Sequence, residues 1–356
     1  MPYLINLISV PLYYLVLRLV TTRREADRLF MWIVAVHAIL FRALANPYNY
    51  VDTRVYASTF KVIGSWTLKH AVIDTNTYTE LGRGYLLYNW ILSRVSNDPS
   101  ILFVVTGIIA VGGIMLYYKK TAYTVFIPVL FYLSYHMMYI HGFGVIRQHL
   151  AIPFLLFALY YINNTKQSFS FALLATLLHT ASAVFFPFLL MHKFVKRMDY
   201  REVTLLFIIF FVGLRFFASL ILSYSPRYAV YLRMKYENMN SIPVLLILFL
   251  IVLLYEANVF EKVKNKKDYN ILLFILYGFA LSLFCIGLSY GGRLSLPVIY
   301  LIPSAMSLLY RYGGSRKDEY NVCTIGLFIL VFIGIYFNIA NGDTTYAKYS
   351  FFWQKT

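Results

Sequence analysis

Two glycines, two histidines and an arginine fall within one short stretch, Met138-Tyr139-Ile140-His141-Gly142-Phe143-Gly144-Val145-Ile146-Arg147-Gln148-His149-Leu150-Ala151. It joins two long apolar runs, and Arg147 leads straight into the second. A charge at the mouth of an apolar helix is costly unless it has a partner. The guanidinium offers a planar fork of donors that suits phosphate oxygens. Arg147 is therefore read as facing an anionic group, a lipid-linked phosphate above all. Arg54, Arg227 and Arg293 stand where a loop meets an apolar run or an aromatic cluster. Several arginines converging on one pyrophosphate would stabilise it as a leaving group. For each one alone, the competing role is snorkelling to lipid head groups.

Such a transfer also needs a base, a carboxylate or imidazole near the reacting hydroxyl. The candidates are Asp52, in Tyr50-Val51-Asp52-Thr53-Arg54-Val55-Tyr56, and Glu80, in Glu80-Leu81-Gly82-Arg83-Gly84-Tyr85. Against this stands the simpler role of each acid as a solvated loop residue or the partner of its neighbouring arginine. His179, followed by Thr180 and Ser182 in an apolar run, is a third candidate, because an ionisable group in such a run is a functional candidate by default. In Ser225-Pro226-Arg227-Tyr228-Ala229-Val230-Tyr231-Leu232-Arg233, arginine alternates with tyrosine. Tyrosines stack on sugars, and they also anchor helices at an interface. His136, His141 and His149 do not make a convincing metal set. No Asp-x-Asp, His-Glu-x-x-His, P-loop or Cys-x-x-Cys occurs, so neither a metal nor a nucleotide is expected.

The elements that must hold these residues are membrane helices. The chain is 60% hydrophobic, 19% aromatic and only 13% charged, with a mean hydropathy of +0.65. That charged fraction is about half of what a soluble domain carries. Several apolar runs reach the ~20 residues that cross a bilayer, and no long polar block divides them. The reading is an all-α polytopic membrane protein, one domain over 1–356. The net charge of +17 lies largely between spans, where it sets topology and meets anionic head groups, so no nucleic-acid partner is expected. Cys285 and Cys323 sit in apolar runs and read as small hydrophobes. The first run, lacking a basic n-region and a cleavage site, reads as a retained span.

Spans are expected near 3–19, 29–45, 100–117, 121–139, 147–162, 203–223, 241–258, 269–289, 294–310 and 321–340. Five basic loops are expected in the cytoplasm: Arg18/Arg23/Arg24/Arg28, Lys119/Lys120, Lys193/Lys196/Arg197/Arg201, Lys262/Lys264/Lys266/Lys267 and Arg311/Arg316/Lys317. Both termini then lie outside. An even number of crossings must separate the first two loops, so the short segment 84–95 is read as re-entrant or interfacial on the outer side. Segment 168–191 is either a broken pair of half-helices or a single crossing with Lys166 outside. The outer face receives loop 46–83, 140–147, loop 224–240, Tyr290–Arg293 and the tail after Asn341. Arg42 and Arg215, inside spans, are expected to line the interior or a water-filled cavity.

Asp52 with Tyr56, Glu80-Leu81-Gly82-Arg83-Gly84-Tyr85, Phe143 followed by Arg147-Gln148-His149-Leu150-Ala151, and His179-Thr180-Ala181-Ser182 together resemble the EpsG family of Wzy-like polysaccharide polymerases. The likeness is good over about residues 40 to 190. Beyond that, it rests on hydropathy with Arg227 and Arg293. The resemblance implies a GT-C-like bundle of about ten to twelve transmembrane helices in the bacterial plasma membrane, with its site facing outward. It implies transfer of a growing glycan from one undecaprenyl diphosphate to the non-reducing end of a second lipid-linked repeat unit. Donor and acceptor glycolipids, the bilayer and a chain-length regulator protein are the partners implied, with no cofactor. On that footing Arg147 and Arg293 hold the diphosphate, with Gln148 beside them and Arg227 in support. Asp52 or Glu80 is the base, with His179 third, and Arg54 orients Asp52. Tyr56, Tyr85, Tyr228 and Tyr231 line the glycan path.

Two rival classes share the basic cavity. A flippase for lipid-linked glycans needs no base but wants charge spread through the membrane interior, where this chain offers Arg42, Arg215 and His179. An O-antigen ligase differs only in its acceptor. A membrane acyltransferase would want a histidine beside an acceptor site facing a cytoplasmic acyl donor, which the surroundings of His179 do not suggest.

Overall fold

The computed structural model describes residues 2–46, 48, 51–73, 81–135, 138–223, 241–286 and 291–314, and beyond them 318–319, 322–323, 326, 329 and 349–351. Every named element is helical. Within a bilayer a helix satisfies all its backbone groups internally, which an open sheet cannot do. In chain order α1 (Pro2–Val20) and α2 (Arg23–Ala43) form a hairpin, closed by a capping box in which Thr22 and Glu25 bond each other's backbone N–H. Then follow α3 (Val51–Gly64), α4 (Leu68–Val72), α5 (Arg83–Ser93), α6 (Ser100–Thr121) and α7 (Phe126–Ser134). After a 3-10 turn at His141–Phe143 come α8 (Ile146–Tyr160) and α9 (Thr165–Leu178), a 3-10 turn at Thr180–Phe185, α10 (Phe186–Val195) and α11 (Tyr200–Ser223). The described chain closes with α12 (Ser241–Glu256), α13 (Val259–Lys262), α14 (Lys266–Cys285), α15 (Gly291–Ile299) and α16 (Ile302–Tyr312).

Helices α8 and α14 are buried on nearly all sides and form the axis of the core. The outer helices are apolar on both faces. On α2, Phe30, Met31, Val34 and Ala38 point inward while Trp32, Ile33, Val36 and Leu40 are exposed. A soluble helix would carry charge on that outer stripe, whereas a lipid-facing one leaves it apolar. Among the described residues, three stretches meet the length and apolarity needed to cross a membrane: Ser100–Thr121, Lys266–Cys285 and Arg293–Tyr312. Shorter apolar helices occupy Ile8–Val20, Ile146–Tyr160, Thr180–Val195 and Val244–Glu256. Of the other expected spans, α1, α2 and α11 are undivided helices of 19, 21 and 24 residues, and 321–340 lies largely outside the described residues.

Three differences from the linear reading follow from local chemistry, and two expected features are seen as well. The expected outer loop 46–83 contains α3 and α4. The expected span 121–139 is helical only over Phe126–Ser134 and then turns. The span 294–310 breaks at Tyr300-Leu301, where Pro303, lacking an N–H, cannot continue the preceding helix. Segment 168–191 is two half-helices meeting at His179, with Lys166 at the first residues of α9 beside the basic end. Segment 84–95 forms the 11-residue α5. At ~1.5 Å per residue that helix is about 16 Å long, too short for a ~30 Å hydrocarbon core.

The basic loops gather at one end of the bundle. Arg23 donates to Tyr310 Oη at 2.6 Å, and Lys119 lies over the Trp32 ring. Lys267 donates to Tyr160 Oη at 2.9 Å, and Lys120 faces the same ring. Arg311 pairs with Asp268 at 3.5 Å, and Lys262 reaches Tyr312 O at 3.2 Å. His192, beside Lys193, bonds Asn270 at 2.8 Å. Arg42 and Arg147 stand at the far ends of helices that start or finish in this basic end, and Arg293 stands at the start of the broken pair α15–α16 that finishes there. Tyr349 joins them there, donating to Phe41 O at 2.8 Å.

Candidate functional site

Consecutive residues at the start of α8 point about 100° apart, and here they reach three different neighbours. Arg147 turns toward α3 and α5. Its Nε–H points to Tyr56 Oη at 3.4 Å, and its guanidinium lies 5.9 Å from the Tyr56 ring centroid and 5.8 Å from that of Tyr85. The two rings meet edge to face at 5.9 Å. They form a shelf that holds the charge by cation–π attraction.

Gln148 turns toward α15. Pro297 has no N–H to bond the Arg293 carbonyl four residues back, and Gln148 Nε2 donates to that carbonyl instead. The bond draws Arg293, at the start of α15, to the mouth of α8. Gln148 Oε1 is buried and has no hydrogen-bond partner among the described residues. His179, in the break between α9 and the following 3-10 turn, shows the same feature: its Nε2 is buried without a partner among them. The ring lies within electrostatic reach of both Arg147 and Arg293.

The Gly82-Arg83-Gly84 sequence explains how α5 reaches this junction. Gly82 has φ +79°, a left-handed conformation that suits glycine. A Cβ on Gly84 would lie 2.6 Å from the Leu177 carbonyl oxygen. The absent side chains let the first turn of α5 rest on the last turn of α9, so Tyr85 and His179 share one junction.

Asp52 lies in the first turn of α3 and is half-buried. It stands four residues before Tyr56 and so on the same helix face, with Cβ atoms ~5–6 Å apart. That face looks toward Arg147. Arg54 does not share it, since residues two apart on a helix point to opposite sides. Its Nε–H donates to Tyr48 O at 2.7 Å. Glu80, Arg227, Tyr228 and Tyr231 lie outside the described residues. Asp98, just before α6, accepts the Ser100 N–H at 2.9 Å, and that bond holds its pKa below the usual carboxylate value. It caps α6 and is committed to structure. Arg215 caps the carbonyls of Phe284 and Ile286 at 2.5 and 2.8 Å at the end of α14, rather than lining an interior cavity.

The linear reading missed a buried network under this site. The next α8 residue after Gln148, His149, is 0% exposed. Tyr300 Oη, at the break between α15 and α16, donates to Met138 O at 2.5 Å. With its single hydrogen so used, it accepts from His149 Nδ1–H at 2.8 Å. His149 Nε2 is then the acceptor facing His141 Nδ1 at 3.3 Å. Arg42 Nη2 donates to Gly142 O at 2.5 Å, and Tyr139 Oη to Ala38 O at 2.7 Å. These bonds tie the 138–145 turn, which feeds α8, to α2 and to the α15–α16 break. Gly142 is the tight point: a Cβ there would stand 2.8 Å from His149 Nδ1 and 3.1 Å from Arg42 Nη1. Gly142, next to His141 and three residues before the β-branched pair Val145-Ile146, was the available signal, but it did not name the partners.

Compared with known proteins, the chain matches the model of the EpsG family over residues 29–351. No curated protein and no solved structure matches it significantly.

Proposed function

From the premise that the chain belongs to the EpsG family, a family of Wzy-like polymerases, we propose that it is a membrane glycosyltransferase of GT-C-like architecture that polymerises undecaprenyl-diphosphate-linked repeat units. Its product is an O-antigen, capsule or exopolysaccharide, made at the outer face of the bacterial plasma membrane. One observation carries this reading. At the end of the bundle opposite the basic loops, Arg147 and Arg293 converge around two buried polar atoms with no partner among the described residues, Gln148 Oε1 and His179 Nε2. Leaving such an atom unsatisfied costs ~1–3 kcal/mol. A protein tolerates that cost where a ligand completes the bond.

The chemistry runs as a displacement at the donor's anomeric carbon. The acceptor hydroxyl loses its proton to Asp52 or Glu80 as its oxygen bonds that carbon, with His179 as the third candidate. The bond from carbon to the diphosphate oxygen breaks, and the lipid diphosphate leaves with its charge held by Arg147 and Arg293. The tyrosine shelf of Tyr56 and Tyr85 flanks the sugar. The diphosphate is already an activated leaving group, so the step balances without a nucleotide. A chain-length regulator would act on this reaction from outside the chain described.

The deciding experiment is the glycan profile of cells lacking the gene. Accumulation of single repeat units on the carrier lipid at the outer face supports the polymerase. Full chains that fail to attach would mean a ligase, and units trapped inside would mean a flippase.

A further inference from the structure

Gln148 carries an unusually well-determined amide. Pro297 leaves the Arg293 carbonyl without its helical donor, and only the nitrogen end of a carboxamide can serve it. That fixes Nε2 toward Arg293 O and makes Oε1 an acceptor without ambiguity. Gln148 is 2% exposed, and Oε1 has no partner among the described residues. An acceptor cannot be satisfied by an ionised diphosphate, whose oxygens are acceptors themselves. The group that meets Oε1 must bring an O–H or N–H. It must also lie next to the diphosphate, because Gln148 sits between Arg147 in sequence and Arg293 in space.

We propose that Gln148 Oε1 receives a hydroxyl or amide N–H of the sugar directly attached to the diphosphate, and so helps select which glycan is polymerised. His179 Nε2, buried and unpartnered at the same junction, lines the other side of that sugar. The proposal rests on the polymerase reading and gives its site two functions. The guanidiniums take the charge that every carrier lipid shares, and the carboxamide reads the one residue that differs between glycans.

The test compares two ligands on the full-length protein in nanodiscs. One is undecaprenyl diphosphate; the other is the lipid-linked repeat unit isolated from cells lacking this chain. For Gln148→Met the ratio of the two affinities should fall about 10-fold in disfavour of the glycosylated lipid, the usual effect of losing one neutral hydrogen bond at a buried site. Affinity for the bare diphosphate should move less than about 3-fold. An unchanged ratio, with both ligands weakened together or neither weakened, overturns the assignment. His179→Phe supplies the same ratio test should Gln148→Met fail to fold. Arg147→Ala should weaken both ligands without changing the ratio. If the unmodified protein binds neither lipid, the polymerase reading itself falls, a result distinct from an unchanged ratio.

Discussion

Replacing Arg147 by alanine separates what its charge does for the fold from the chemical role proposed for it. In the folded protein the guanidinium makes a long bond to Tyr56 Oη at 3.4 Å and two ring contacts near 5.8–5.9 Å. Each cation–π contact at a partly exposed site contributes ~0.5–1 kcal/mol, so losing these two ring contacts costs about 1–2 kcal/mol, a modest part of the ~5–15 kcal/mol that holds a domain together. The variant should insert and accumulate. Its rate is another matter, since losing one charge-assisted donor to a transition-state anion lowers turnover by ~10²–10³. Arg147→Lys should recover less than about 10-fold of that loss, because an ammonium keeps the charge but loses the fork and the flat face that rests on Tyr56 and Tyr85. The assay is polymer formation by purified protein in liposomes, fed lipid-linked repeat units and read as a ladder on a gel. Protein amount is matched by monodisperse peak area. Polymer from the alanine variant within about 3-fold of the unmodified protein would refute the leaving-group role.

Asp52→Asn, measured in the same assay, should lower the rate by ~10² or more if Asp52 is the base; retained activity together with loss in Glu80→Gln reverses the two assignments. A cysteine at exposed Asn97, near the start of α6, should react with an impermeant thiol reagent on intact spheroplasts, and one at exposed Lys264 only after lysis, both in a Cys323→Ser background. The opposite labelling order would invert the orientation of the bundle. Gly142→Ala drives a methyl between His149 and Arg42 and should cost about 1–3 kcal/mol, seen as a lower unfolding temperature in detergent together with reduced polymerisation. An unchanged unfolding temperature would show that the 138–145 turn can yield without disturbing α8.

Much of the site could be read residue by residue. Arg147 at the mouth of an apolar run, the glycines of the 80–85 motif and a histidine interrupting an apolar segment are visible because each is locally out of place. The helical nature of α3 was not legible. Its 14 residues mix tyrosine, threonine and charge, and neither a spanning length nor a clean amphipathic stripe marks them. The role of Gln148 was half legible: the residue stood in the right motif, but its function depends on a proline 149 positions later in the chain.

By itself, the sequence determined that this is a helical membrane protein and that its basic loops belong to one end. Those conclusions rest on transfer free energies, which act on each side chain separately and sum along a run, so a linear reading recovers them. Only the tertiary structure decided that Gln148 serves Arg293, that His149 meets Tyr300 and that Arg42 holds Gly142, pairs separated by 145, 151 and 100 positions. A buried polar atom takes whichever partner the packed helices bring within about 3 Å. Which helices meet is set by the shape and packing of the whole core, and that information is in no single stretch of the chain.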